Sequence, residues 1–165
     1  MYKKILVPLD GSELAEKVLP HAVALAKENG AEVTLLSVVQ LSLGFTAAKL
    51  EAIPQAAAER KAALKAEAVT YLEKIQRDLK EKGIPARTVA LEGDVAAQII
   101  AYAEQEDIHL IAMATHGRSG IDRFVMGSVA EKVVRHTTKP VLLVRVLPPI
   151  SRQVDWREIT PPPAP

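Results

Sequence analysis

The 165-residue chain contains no cysteine. That removes disulfides, thiolate catalysis and cysteine-ligated zinc or iron–sulfur centres together. Aromatic residues make up only 4% against a hydrophobic share of 48%, so the core has to be aliphatic, built from Val, Ile, Leu and Ala. Charge of one sign is missing too. The 21 lysines and arginines nearly cancel the 20 acids, which argues against a nucleic-acid or anionic-membrane partner. No apolar run approaches the ~18 residues of a membrane span. The first apolar run ends at Pro8, short of the ~7–15 residues of a signal-peptide core, and a cytoplasmic protein is expected. There is no G-x-x-x-x-G-K-[ST] string, no G-x-G-x-x-G after the first strand and no G-x-S-x-G elbow.

What is present is an alternation of short apolar runs and longer amphipathic stretches. Ile5 to Leu9 reads as a strand buried on both faces, ending in the turn Asp10-Gly11-Ser12. Ser12 suits a helix N-cap, and Leu14, Val18, Leu19, Ala22, Leu25 and Ala26 recur at helical spacing until Asn29-Gly30. Glu32 to Val39 is the second strand, and residues 41–54 form an irregular connection. From Gln55 to Lys82 one long amphipathic helix is expected, with an apolar stripe of Leu64, Ala68, Tyr71, Leu72, Ile75 and Leu79 and a solvated charged face. Ala86 to Leu91 gives the third strand, and Glu92-Gly93-Asp94 caps a helix to about Glu106. Ile108 to Ala114 gives the fourth strand. Gly127-Ser128 opens a last helix ending near His136, and Val141 to Val146 is the fifth strand. No internal repeat is visible. The expected organisation is a domain over residues 1–147 and a proline-rich extension over 148–165 that carries Trp156.

Strands alternating with helices predict an α/β fold: an open five-stranded parallel sheet with helices on both faces. With strand order 3-2-1-4-5, the order reverses between strands one and four, where such sheets bind ligands beyond the strand ends. The loops Pro8–Ser12 and Ala114–Ser128 would then face each other. In the second of these, a strand ends, small residues turn, and Gly127-Ser128 starts a helix. First-turn amides have no internal partners and carry the positive end of the helix dipole, so they suit phosphate. Gly127 leaves the backbone open to close approach, and the Ser128 hydroxyl can donate to a phosphate oxygen. Gly117 can take the positive φ that a sharp turn off the strand needs. A Gly-Ser pair at a helix start is also a common cap with no ligand at all.

The stretch Ala112 to Arg145 (AMATHGRSGIDRFVMGSVAEKVVRHTTKPVLLVR) and the opening Lys3 to Ser12 (KKILVPLDGS) resemble the closing and opening segments of universal stress proteins. The resemblance spans roughly residues 2–146. It implies the Rossmann-like, adenine nucleotide alpha hydrolase-like fold and an ATP-binding regulator of the stress response. The nucleotide-binding branch of that family has Gly, two residues, Gly, nine residues, then Gly-Ser or Gly-Thr. Here Gly117 and Gly127-Ser128 fit, and Ala114 stands at the first glycine.

By the same resemblance Pro8 and Asp10 border the adenine and ribose, Val38 and Met113 pack on the base, and Ala114 lies beside the ribose. Gly117, Gly127, Ser128 and the Val129 amide hold phosphates, with Arg118 and Arg123 as further phosphate contacts; His116, which adjoins this segment in the sequence, is a further candidate contact on its position alone. Magnesium or manganese arrives with the nucleotide instead of in a protein cage. The Val141–Val146 strand, an apolar sheet edge, pairs across a two-fold axis in a homodimer. For strong catalysis the residues offer little: no P-loop lysine, no nearby pair of acids, and His21, His109 and His136 read as structural. At most slow ATP hydrolysis is expected. Two alternatives stand beside this reading. One is a nucleotide-free interaction module, favoured by Ala114. The other is an adenine-nucleotide hydrolase, whose usual S-G-G-x-D-S loop is replaced here by P-L-D-G-S.

Overall fold

The computed structural model describes residues 1–40, 54–116 and 127–146. Of the expected irregular connection over residues 41–54 only Pro54 is described, as the first residue of a helix, and Gly117, Arg118, Arg123 and the extension over 148–165 lie outside the described residues. Five strands form one sheet: β1 (Lys4–Pro8), β2 (Glu32–Val39), β3 (Ala86–Glu92), β4 (Leu110–His116) and β5 (Val141–Val146). Its order is β3-β2-β1-β4-β5 and every pairing is parallel, as the alternation predicts. The helices among the described residues are α1 (Glu13–Glu16), α2 (Leu19–Asn29), α3 (Pro54–Glu81), α4 (Val95–Gln105) and α5 (Ser128–His136).

Because successive side chains of a strand point to opposite faces, the sheet separates two aliphatic cores. Ile5 and Val7 of β1 pack with Val33 and Leu35 against Val18, Ala22 and Ala26 on one side, where α3 adds Leu72, Ile75 and Leu79. Leu6 between them points the other way. It packs with Leu36 and Ile111 against Ile99 and Ala103 of α4 and Val133 of α5. Ile5, Leu6 and Val7 are all fully buried, which is why β1 shows no polar alternation in the sequence.

Two expectations need correction. The helix read as continuous from Ser12 to Asn29 is broken after Glu16, and α2 restarts at Leu19. Pro20 is the physical reason, since it has no amide for the Glu16 carbonyl and its ring crowds that carbonyl. The fourth strand begins at Leu110, two residues later than its apolar run. Ile108 is buried, but its amide closes the end of α4 on the Ala103 carbonyl at 2.9 Å. Asp107 just before it takes a φ of 50°, the left-handed exit of a helix. Apolarity alone cannot separate a helix-exit anchor from the start of a strand.

Candidate functional site

β1 and β4 are neighbours at the centre of the sheet, with Ile5 opposite Leu110 and Leu6 opposite Ile111. From β1 the chain leaves toward one face, and from β4 toward the other. A cavity of about 320 Å³ opens between their carboxyl ends. Pro8, Leu9 and Asp10 line it from β1, and Met113, Ala114 and Thr115 from β4. Leu36 and Val38 of β2 close its base, Val95 and Ile99 of α4 one wall, Leu14 and Ala15 of α1 another. The first turn of α5 completes it with Gly127, Ser128, Val129 and Ala130.

Of the residues singled out from the sequence, the structure therefore brings Pro8, Asp10, Val38, Met113, Ala114, Gly127, Ser128 and Val129 to one cavity. His116 ends β4 in register with Val146. Gly117, Arg118 and Arg123 lie outside the described residues. His21 is exposed on α2 and His136 on α5. His109 precedes β4, and its Nδ1 accepts the Lys3 amide at 3.0 Å, a structural bond.

Three helices among the described residues bring their N-terminal turns to the cavity, and their caps differ. Ser12 Oγ accepts the Ala15 amide at 3.1 Å at the head of α1, and Asp94 Oδ1 accepts the Ala97 amide at 2.9 Å at the head of α4. The head of α5 has only Gly127, with no side-chain cap. Its φ of −56° suits any residue, so backbone freedom does not explain the glycine. A Cβ placed there would meet nothing within 4 Å.

Ala114 sits within β4, opposite Val144, in extended backbone. Asp107 is the only non-glycine residue with positive φ among the described residues, so alanine at 114 carries no left-handed strain.

Electrostatically the lining is sparse. Asp10 is the only ionisable side chain among the described lining residues. Its Oδ1 accepts both the Ser12 amide at 3.0 Å and the Ser12 hydroxyl at 2.6 Å. Thr115 Oγ1 accepts the Gly127 amide at 3.4 Å, so the two ends of the β4–α5 connection meet. Opposite Asp10, the uncapped head of α5 contributes the positive end of a helix dipole. One end of the cavity suits hydroxyl donors, the other an anion, and the base between them is aliphatic. Among the described residues no group of three His, Asp or Glu side chains stands ready to hold a metal.

Sequence reasoning missed Thr115, although it sits inside the quoted A-T-H-G stretch and its hydroxyl was a usable signal. Leu36 and Ile99 carried no such signal, because a core leucine and a pocket leucine look alike until the helix crossing is known.

The family model for the universal stress protein family matches residues 1–145. The chain belongs to that family. This universal stress protein is 37% identical over 145 residues to universal stress protein MJ0531 of Methanocaldococcus jannaschii, covering 88% of this chain and 83% of that one. Protein MJ0577 of the same organism is 33% identical over 156 residues, covering 88% and 96%. A solved structure of MJ0577 superposes with a TM-score of 0.74, covering 88% of this chain and 97% of that one. The universal stress protein UspA from Lactobacillus plantarum, 29% identical, superposes at 0.72, covering 87% and 98%. Among the described residues no helix is long and apolar enough to cross a membrane.

Proposed function

We propose that this universal stress protein binds ATP in the crevice between β1 and β4 and serves as a nucleotide-dependent regulator in the cytoplasmic stress response. The observation that carries the reading is the uncapped head of α5. Among the described residues it is the one helix start at the cavity without its own side-chain cap, and a Cβ at Gly127 would meet no described atom within 4 Å. Amides that a helix cannot satisfy itself, together with its dipole, form a phosphate site. The cavity volume of about 320 Å³ falls within the ~300–1,000 Å³ of small-molecule sites. Family membership and the Gly117…Gly127-Ser128 spacing support the same ligand.

In this reading Pro8, Val38 and Met113 border the adenine, with Asp10 and Ala114 at the ribose. Gly117, Gly127, Ser128 and Val129 hold the phosphates, and Arg118, Arg123 and His116 reach them from the connecting segment. Magnesium or manganese enters on the phosphate oxygens, which it prefers to a dedicated protein cage. Hydrolysis is slow at most, because phosphoryl transfer needs neutralised charge and a positioned nucleophile, and the described lining has a single carboxylate. The alternative of a nucleotide-free interaction module rested on Ala114. Extended backbone at that position holds alanine without left-handed strain.

The test is calorimetric titration of ATP with Mg²⁺ into wild type and Gly127→Val. Binding by wild type that disappears in the variant supports the reading. Absence of binding in wild type ends it. A turnover comparable to that of efficient ATPases would end the regulator part alone.

A further inference from the structure

We propose that Ser12 is a positioning residue: it holds the Asp10 carboxylate for the ribose hydroxyls and so sets a preference for ribonucleotides over 2′-deoxyribonucleotides. The inference rests on the nucleotide reading above and adds a residue that does not line the cavity itself.

Gly11 takes a φ of 83°, which folds the chain back so that residue 12 returns to the carboxylate of residue 10. Oδ1 of Asp10 then receives two donors from one residue, the Ser12 amide at 3.0 Å and the Ser12 hydroxyl at 2.6 Å. The same hydroxyl accepts the Ala15 amide at 3.1 Å. With its proton given to Asp10 and its oxygen facing Ala15, Ser12 is occupied on both sides and acts on a ligand only through Asp10. Oδ2 of Asp10 has no protein partner among the described residues.

An ionised carboxylate accepts and never donates. Fixed at the rim of the cavity, Asp10 repels phosphates and takes hydroxyl donors, while the α5 head takes anions. The two ends therefore orient a nucleotide, sugar toward β1 and phosphates toward α5. A carboxylate already held by two bonds loses little freedom when the ligand arrives, which is where Ser12 contributes. A 2′-deoxy sugar withholds one donor from it.

Calorimetry with ATP–Mg²⁺ and 2′-deoxyATP–Mg²⁺ on wild type, Ser12→Ala and Ser12→Thr tests this. Wild type is expected to prefer ATP roughly tenfold, and Ser12→Ala to narrow the preference to about threefold or less, chiefly by weakening ATP. Ser12→Thr, which keeps the hydroxyl, is expected to restore it. Thermal denaturation of each variant confirms the fold. If Ser12→Ala weakens both ligands equally and the ratio stands, Ser12 is only the cap of α1 and the proposal fails. Equal affinities in wild type would overturn it while leaving ATP binding intact. Failure of wild type to bind either nucleotide would overturn the ATP reading and this inference with it.

Discussion

The Tyr71 hydroxyl donates a 3.0 Å hydrogen bond to the Glu16 carboxylate, joining the middle of α3 to the single turn of α1 that walls the cavity. Burial of the phenol, then the hydrogen bond and charge of Glu16, then the charge of Asp10, all push the Tyr71 pKa upward. The folded chain holds this proton more tightly than the unfolded chain, whose tyrosine titrates near the ordinary value of about 10. The associated stability is complete below that pH and is lost as pH rises toward the folded pKa. Tyr71→Phe is expected to flatten the decline of denaturation midpoint above about pH 10, where the ordinary tyrosine ionises. An identical alkaline slope in wild type and variant would contradict the bond.

The caps of α4 and α5 should respond differently to substitution. Asp94→Ala removes the Ala97 cap and one partner of Lys132 at 3.8 Å, and is expected to cost about 1 kcal/mol of stability. Gly127→Val, at an ordinary φ with no described atom within 4 Å of its Cβ, should leave stability nearly unchanged while abolishing ATP binding. Urea denaturation and nucleotide titration of the pair separate the two roles. A large loss of stability in Gly127→Val would contradict the geometry at the head of α5.

Ile99 is fully buried in the core between the sheet and α4, and it also lines the cavity. Truncation to alanine is expected to destabilise the fold by about 2–5 kcal/mol, the range for buried Leu or Ile to Ala. Chemical denaturation measures this. A loss below about 1 kcal/mol would mean that the site collapses around the missing atoms or that Ile99 is not packed as described.

Among the described residues β5 is the sheet edge, paired only with β4 and composed mainly of half-buried Val and Leu. An apolar edge invites a second strand. A homodimer through Val141–Val146 is expected, seen by light scattering as twice the chain mass. Leu143→Pro should give monomer or unfolded protein, which circular dichroism distinguishes. A dimer that persists unchanged in the variant would place the interface elsewhere.

Much of the fold could be read directly. Ile5-Leu6-Val7 is apolar at every position because both faces of β1 are covered, and that continuity identified a central parallel strand. The stripe from Leu64 to Leu79 marked the inward side of α3, with Leu72, Ile75 and Leu79 buried. Asp94 and Gly30 marked helix ends because caps are local chemistry, confined to a few neighbouring residues. Where two local signals conflicted, reading failed. The helical period across Ser12–Asn29 concealed the break that Pro20 imposes, and Ile108 looked like strand when it anchors a helix exit.

The cavity was half legible. Gly127 and Ser128 stood out as a glycine-serine helix start following a strand and a turn, whereas Asp10 and Ala114 were assigned to the site through the resemblance to universal stress proteins. That Leu36, Ile99 and Thr115 share their cavity depends on parallel register and on α4 crossing the sheet, which bring Leu36 of β2 to residues more than 60 positions further along the chain. Local propensity and periodicity act over a few residues and are written in the chain. Which leucine closes a core and which closes a pocket is set by long-range packing, which no local pattern encodes.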